Sequence, residues 1–261
     1  MNIIVCVKQV PNTTEIRIDP VTNTLVREGV ESIINPFDLY AIEEAIRLKE
    51  QYGGKVTALS MGPPQVEDAL REAVSMGVDE IILLSDRKFA GADTWATSYT
   101  LAEAINKIKD YDLIMFGQQA IDGDTAQVGP GVATHLDLPQ TCFVRKINEL
   151  SDNVIKVERL MEDGFDTVEM TLPAVITVVK EINIPRLPSL RGKRTAKNAQ
   201  LTVWNADDLG AGSDKIGLNG SPTQVVKIFS PTLEKDGQKY EVDTDEAVEI
   251  LYNKLKTLTN K

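Results

Sequence analysis

Residue types that do chemistry are scarce in this chain, and their scarcity narrows what it can do. The single histidine, His135, falls inside a predicted helix with no serine and acid arranged around it. A Ser/His/Asp relay is therefore not readable, and a histidine satisfied by its surroundings is the expectation. Cys6 sits in an apolar run that reads as a buried strand, where a thiol packs rather than attacks. Cys142 lies far from it in sequence. So few soft ligands support neither an iron–sulfur cluster, which takes four cysteines, nor a structural zinc site. Any electrons moved by this chain must travel on an organic cofactor. No G-x-G-x-x-G follows the first strand and no G-x-x-x-x-G-K-[ST] occurs, so the two common phosphate-cradling fingerprints are absent.

What remains is a set of short polar loops. Cys6–Lys8, Asn35–Asp38, Ser60–Gly62, Asp93–Thr97 and Gly117–Ala133 each follow a predicted strand or open a predicted helix. In an open parallel sheet such segments converge beyond the carboxyl ends of the strands, where ligands bind at the switch point. Gly117, Gly123, Gly129 and Gly131 leave room for close backbone approach. Asp124 and Thr125 are read as the start of a helix whose free N–H groups can hold a pyrophosphate. Asp122 or Asp38 can accept from ribose hydroxyls or an adenine amino group. Taken singly, each loop reads first as an ordinary connector needing glycines and caps. The segment from Gly117 is longer and more polar than a connector requires, which favours nucleotide binding.

The elements that position these loops follow from periodicity. Apolar runs at Ile3–Val7, Val56–Leu59, Glu80–Leu84, Leu113–Phe116 and Ala174–Val179 read as strands. Between them lie predicted helices from Asn35–Pro36 to Tyr52, with Asn35 as N-cap, from Pro64 to Met76, from Asp93, also read as an N-cap, to about Lys109, and from Thr125 to about Leu136. In the first, Leu39, Ile42, Ala45 and Ile46 form the inner face, with Glu43, Glu44, Arg47 and Glu50 outside. Turn chemistry at Asp19, Pro20 and Asn23 marks a loop or ribbon, and Val154–Leu160 with Thr167–Leu172 reads as a hairpin. The alternation predicts an α/β fold: a mainly parallel, Rossmann-like sheet with helices on both faces. The expected divisions are a nucleotide-binding domain over 1–184, a partner-recognition loop over 185–198 and a C-terminal arm over 199–261. The arm ends in a short helix, Asp245 to Lys256, suited to packing on a partner.

With 261 residues, 42% hydrophobic and only 5% aromatic, the chain can bury one good core in the style of a helix-covered sheet. A net charge of −11 excludes nucleic acid as a natural partner. No apolar run is long enough to span a membrane. The opening MNIIVCVKQVPN has neither a basic leader nor a signal core, so a cytoplasmic protein is expected.

Several long segments, in order along essentially the whole chain, resemble the β subunit of electron transfer flavoproteins: VCVKQVPNT, NPFDLYAIEEAIRLKE, ALSMGPPQ, GQQAIDGDTAQVGP and VERLMEDGFDTVEMTLPAVITV. EINIPRLPSLRGK, GADTWATSYTLA and GSPTQVVKIFSP are most similar to the electron-bifurcating branch. The resemblance implies a heterodimer with an α subunit that holds one FAD near the interface. It also implies a nucleotide in this chain, AMP in one branch and a second FAD in the bifurcating branch. The family's nucleotide contacts fall on Cys6, Asn35, Pro36, Phe37, Asp38 and Met61. They continue through Asp122, Gly123, Asp124, Thr125, Ala126, Gln127, Val128, Gly129, Pro130, Gly131, Val132 and Ala133. Thr94 and Thr97 would serve the extra FAD, and small residues at Gly123, Thr125 and Ala126 leave space for a flavin ring. The family's recognition loop falls on Pro185–Arg194, with Leu190 as an apolar anchor for an acyl-CoA-type dehydrogenase. The implied activity is electron bifurcation: NADH as donor, ferredoxin or flavodoxin as low-potential acceptor, and no side-chain catalysis. The alternatives are a non-bifurcating relative with AMP in the pocket, or a nucleotide-sensing or nucleotide-hydrolysing protein of the same fold.

Overall fold

The computed structural model describes residues 1–12, 32–151, 153–226 and 237–259. The turn expected at Asp19, Pro20 and Asn23 lies outside them. The described chain forms two units, Met1–Val226 and Lys227–Lys261.

The first unit is built on one large sheet. Its strands are β1 (Asn2–Cys6), β4 (Lys55–Met61), β5 (Glu80–Leu84), β6 (Leu113–Gly117), β7 (Gln140–Leu150), β8 (Val154–Leu160), β9 (Phe165–Thr171), β10 (Ala174–Val178) and β11 (Leu201–Trp204). Their order is β11-β5-β4-β1-β6-β10-β7-β8-β9. From β11 to β7 every pairing is parallel; β7, β8 and β9 pair antiparallel. A separate two-stranded ribbon joins β2 (Gln9–Pro11) to β3 (Ser32–Ile34). The chain builds outward from β1 through β4 to β5, then returns to place β6 on the other side of β1. The switch point, where parallel sheets bind ligands, therefore falls at β1 and β6.

Alternation along the strands supplies a core on each face. Ile3, Val5 and Val7 join Ile42, Ala45, Ile46, Leu70 and Ala73 on one side. Ile4 and Cys6 join Leu101, Ile105 and Val132 on the other. The first core is covered by α1 (Pro36–Tyr52) and α2 (Glu67–Met76), the second by α3 (Thr94–Ile108) and α4 (Val128–Leu136). The expected helix-covered parallel sheet is the observed one.

Several local expectations are corrected. Glu43 and Glu44 are buried although they lie opposite the apolar stripe of α1, because the segment after β10 crosses over them. The fourth helix starts at Val128, not Thr125. β7 was not foreseen: its inward and outward positions do not alternate cleanly in polarity. Nor was β11, a short edge strand. The basic, turn-rich stretch beginning at Pro185 turns helical at α5 (Leu190–Asn198), capped by the Ser189 hydroxyl, which accepts from Gly192 N. A further turn of helix, α6 (Ala206–Leu209), carries a capping box from Asn205 and Asp208. In the second unit, α7 (Thr244–Thr259) has exposed Val248, Leu251, Tyr252, Leu255 and Leu258 at helical spacing along one face. No helix among the described residues is long and apolar enough to cross a membrane.

α3 and α4 pack closely because Gly131 has no side chain: a Cβ there would stand 2.7 Å from Ser98 Oγ and 2.8 Å from Ser98 Cβ. Gly131→Ala should cost about 1–3 kcal/mol by overpacking, read as a lower urea midpoint. Combining it with Ser98→Gly should recover part of the loss; no recovery would mean that the contact does not set the helix spacing.

Candidate functional site

The crevice at the switch point is assembled around one carboxylate. Asp38 lies in the first turn of α1 and is buried. Its Oδ2 accepts from Lys8 N at 2.7 Å, and its Oδ1 accepts from Asn35 Nδ2 at 3.0 Å. Gly117 N–H is a further donor. The end of β1, the start of α1 and the end of β6 are thereby tied together. Gly117 is required for this: a Cβ there would lie 2.4 Å from Asp38 Oδ1 and 2.5 Å from the Phe37 carbonyl carbon.

Asn35 occupies the N-cap position of α1, as expected, but its side chain does not cap the helix. It reaches across the crevice. Nδ2 also donates to Gln119 O at 2.8 Å, and Oδ1 accepts from Ile121 N at 3.1 Å. The loop after β6 is held from the α1 side. Within that loop Gln119 Nε2 donates to Asp124 Oδ1 at 2.9 Å, and Asp124 N to Ala120 O at 2.9 Å. Asp124 and Ala126 adopt left-handed backbone, φ 49° and 53°. Such residues cannot begin a helix, which is why α4 starts later. Strained positions of this kind cluster at ligand clamps.

Other predicted residues gather at the rim. Thr94, first in α3 beyond its Asp93 cap, donates from Oγ1 to Gln127 Oε1 at 2.9 Å, joining the starts of α3 and α4. Pro36 and Phe37 open α1, Met61 ends β4, and Asp122, Gly123, Thr125 and Gln127 line the loop. Val128, Gly129 and Pro130 form the first turn of α4. Thr97 lies one turn into α3. Other predicted residues bring no side chain to the surface: Cys6, Val132 and Ala133 point into the core. Burial, reinforced by the nearby Asp38 charge, pushes the Cys6 thiol well above its ordinary value, so it stays protonated.

Lys8 was missing from the expected contacts. Its Nζ binds both oxygens of Asp122, at 2.6 and 2.8 Å. The signal was available: it is the lone base in an otherwise apolar and amide run, placed where a strand ends. His135 also departs from expectation. Its ring packs 4.6 Å from Trp95 and 5.6 Å from Tyr99, but buried Nε2 has no hydrogen-bond partner among the described residues. Among the described residues, no group of three or more His, Cys, Asp or Glu could hold a metal.

Away from the crevice, Leu190 is 88% exposed, as predicted, but is not alone: Ile184 and Leu187 are 90% and 89% exposed. The arc that carries them is anchored at both ends. Arg186 donates to Glu43 through Nε at 2.8 Å and to Glu50 through Nη1 at 2.6 Å, gripping α1. Gly192 lies so close to α2 that a Cβ would meet Ser75 O at 2.0 Å, and Arg71 of α2 donates to Ala199 O at 3.2 Å.

Comparison with known proteins finds relatives along nearly the whole chain. Residues 22–209 match the electron transfer flavoprotein domain. An electron transfer flavoprotein subunit beta from Thermoanaerobacterium thermosaccharolyticum is 53% identical over 256 residues, covering 98% of each chain. The protein of the same description from Clostridium acetobutylicum is 49% identical over 256 residues, again with 98% of each chain. The caffeyl-CoA reductase-Etf complex subunit CarD of Acetobacterium woodii is 48% identical over 258 residues and 98% of each chain.

Asp38 gives the crevice a measurable pH signature. Desolvation raises its pKa from the ordinary 3.8 to about 7, against the opposing pull of its donors and of the Lys8 charge. A carboxyl whose pKa is higher when folded holds its proton more tightly in the folded state. Its contribution to stability is full below about pH 4 and is lost as pH rises through about 7. Urea unfolding should show this as a slope approaching 1.4 kcal/mol per pH unit in that window, absent in Asp38→Asn. An unchanged slope in the variant would mean that Asp38 is ionised throughout.

Proposed function

Because this chain belongs to the electron transfer flavoprotein family, with close relatives that are its β subunits, we propose that it holds an FAD in the Asp38 crevice. In complex with an α subunit it would serve flavin-based electron bifurcation. When bound, FAD would supply hydride-accepting and one-electron chemistry, with NADH as donor and with ferredoxin or flavodoxin and, through the α-subunit flavin, an acyl-CoA-type dehydrogenase as acceptors. The chain's own residues hold and orient; none acts as acid, base or nucleophile.

The single observation that carries this reading is the crevice itself. At the switch point, a loop held by Asn35 presents Asp122, Gly123, Thr125 and Gln127 beside the paired starts of α3 and α4. A Cβ at Gly123 would meet nothing within 4 Å, so the rim there is open. Small residues at 123, 125 and 126 support a flavin over a bare AMP by leaving room for the ring system. Asp122 and the free N–H groups at the start of α4 would meet the ribose and pyrophosphate. The relative named for a caffeyl-CoA reductase-Etf complex supports a reductase or dehydrogenase partner. The exposed arc of Ile184, Leu187 and Leu190, held on two helices, supports docking through an apolar anchor whose ordering cost is already met. The apolar face of α7 supports packing of the C-terminal arm on the α subunit.

Acid extraction of the chain purified with its α subunit should yield two FAD and no AMP per heterodimer. One FAD and one AMP would instead assign it to the non-bifurcating branch. Leu190→Ala should lower the rate of electron transfer with the dehydrogenase roughly tenfold or more, as expected of a hot spot worth at least about 1–2 kcal/mol. Flavin content should stay unchanged; loss of flavin in this variant would remove the anchor role.

A further inference from the structure

The ion pair between Lys8 and Asp122 spans the switch point. Lys8 follows β1 and Asp122 lies in the loop after β6, and these strands are neighbours. The pair is not a core contact: its side chains are 50% and 33% exposed. An exposed pair of this kind contributes little to stability, so folding alone does not account for its place.

The crevice around it is acidic. Asp38 lies beneath, and Asp122 and Asp124 line the loop. Among the described residues of the segments 7–12, 35–38, 61–65 and 117–127, Lys8 is the one cation. A phosphate entering this crevice meets carboxylates of its own sign and a single opposite charge. That charge is also well mounted. The Lys8 backbone N–H is fixed on Asp38 at 2.7 Å, so the stem starts from a rigid point, while the ammonium reaches its counter-ion by rotamer alone. Lysine is suited to such an exchange, being a compact point charge on a flexible stem with no fixed bidentate geometry.

We propose that Lys8 is the phosphate-binding cation of the crevice, with Asp122 as its resting counter-ion. On binding of an adenine nucleotide, Lys8 passes from Asp122 to the phosphate, and the freed Asp122 carboxylate accepts from the ribose hydroxyls. This rests on the reading above that a nucleotide occupies the crevice, and it adds which side chains recognise the two halves of that ligand.

The test is calorimetric titration of the full-length chain, freed of bound nucleotide, with ADP and with adenosine. ADP carries the phosphates that FAD also has; adenosine carries none. The unaltered chain should bind ADP more tightly. Lys8→Gln should weaken ADP about tenfold or more without weakening adenosine, since it also frees Asp122 for the ribose, and Lys8→Arg should restore most of the ADP affinity. Asp122→Asn should weaken adenosine while raising the ratio of ADP to adenosine affinity, because the phosphate no longer competes with a carboxylate for Lys8. Equal weakening of both ligands by Lys8→Gln would reduce Lys8 to a structural tie and overturn the assignment, as would unchanged ADP affinity. Adenosine affinity unchanged in Asp122→Asn would overturn the role of Asp122. Failure of the unaltered chain to bind either ligand would overturn the nucleotide reading itself, a result distinct from any of these.

Discussion

The crevice depends on burying a carboxylate where three chain segments meet. Asp38 takes the backbone N–H groups of Lys8, two residues past β1, and of Gly117, last in β6, together with the side-chain amide of Asn35 just before α1. Backbone N–H groups at such junctions have no ladder partner, and leaving them unmet in a dry interior is costly. Asp38 meets them at the expense of its own desolvation, which is why its pKa climbs to about 7. Gly117 completes the arrangement by letting the β6 backbone approach at a distance that no side chain would allow.

From that hub the rest of the site follows outward. Asn35, freed from capping its own helix, ties down the loop after β6. The loop sets out Asp122 and Gln127; Gln127 meets Thr94 and thereby couples the starts of α3 and α4. α1 links the crevice to the exposed arc. Its first turn carries Asp38, and its later turns carry Glu43 and Glu50, which hold Arg186 and the exposed arc beyond it. One helix thus relates the crevice proposed for a nucleotide to the arc proposed for docking. This is what an electron carrier requires, since it works by holding cofactors in place rather than by side-chain chemistry.

Much of this was legible in the residues. The apolar runs at Ile3–Val7 and Leu113–Phe116 could only be buried strands, and Asp93 before Thr94 and Trp95 read as the cap that it is. Asn-Pro-Phe-Asp marked the start of α1. What escaped detection was set by tertiary contacts. Glu43 and Glu44 read as solvent-facing because the stripe of Ile42, Ala45 and Ile46 lies opposite; Arg186 and Asn183, distant in sequence, bury them. Asp124 and Thr125 carried every local sign of a helix start, yet the left-handed backbone at Asp124 and Ala126 delays α4 to Val128. The segment Cys6–Lys8 was placed at the crevice, and Lys8 was marked out by being the lone base at its strand end, but its partner was not legible: only the pairing of β1 with β6 brings Asp122 to it. β7 escaped because it passes from the parallel sheet into the antiparallel ribbon, so its exposed positions follow no single period.

The central claim is that an adenine nucleotide lies in the Asp38 crevice. Photolabelling the chain with 8-azido-ADP and mapping the modified peptides by mass spectrometry tests it most directly. Label should fall on Gly117–Gln127 and the peptide containing Lys8, and should be displaced by unmodified ADP. Label concentrated instead on the cleft lined by Arg87, Lys88, Ile216 and Leu218 would contradict the account.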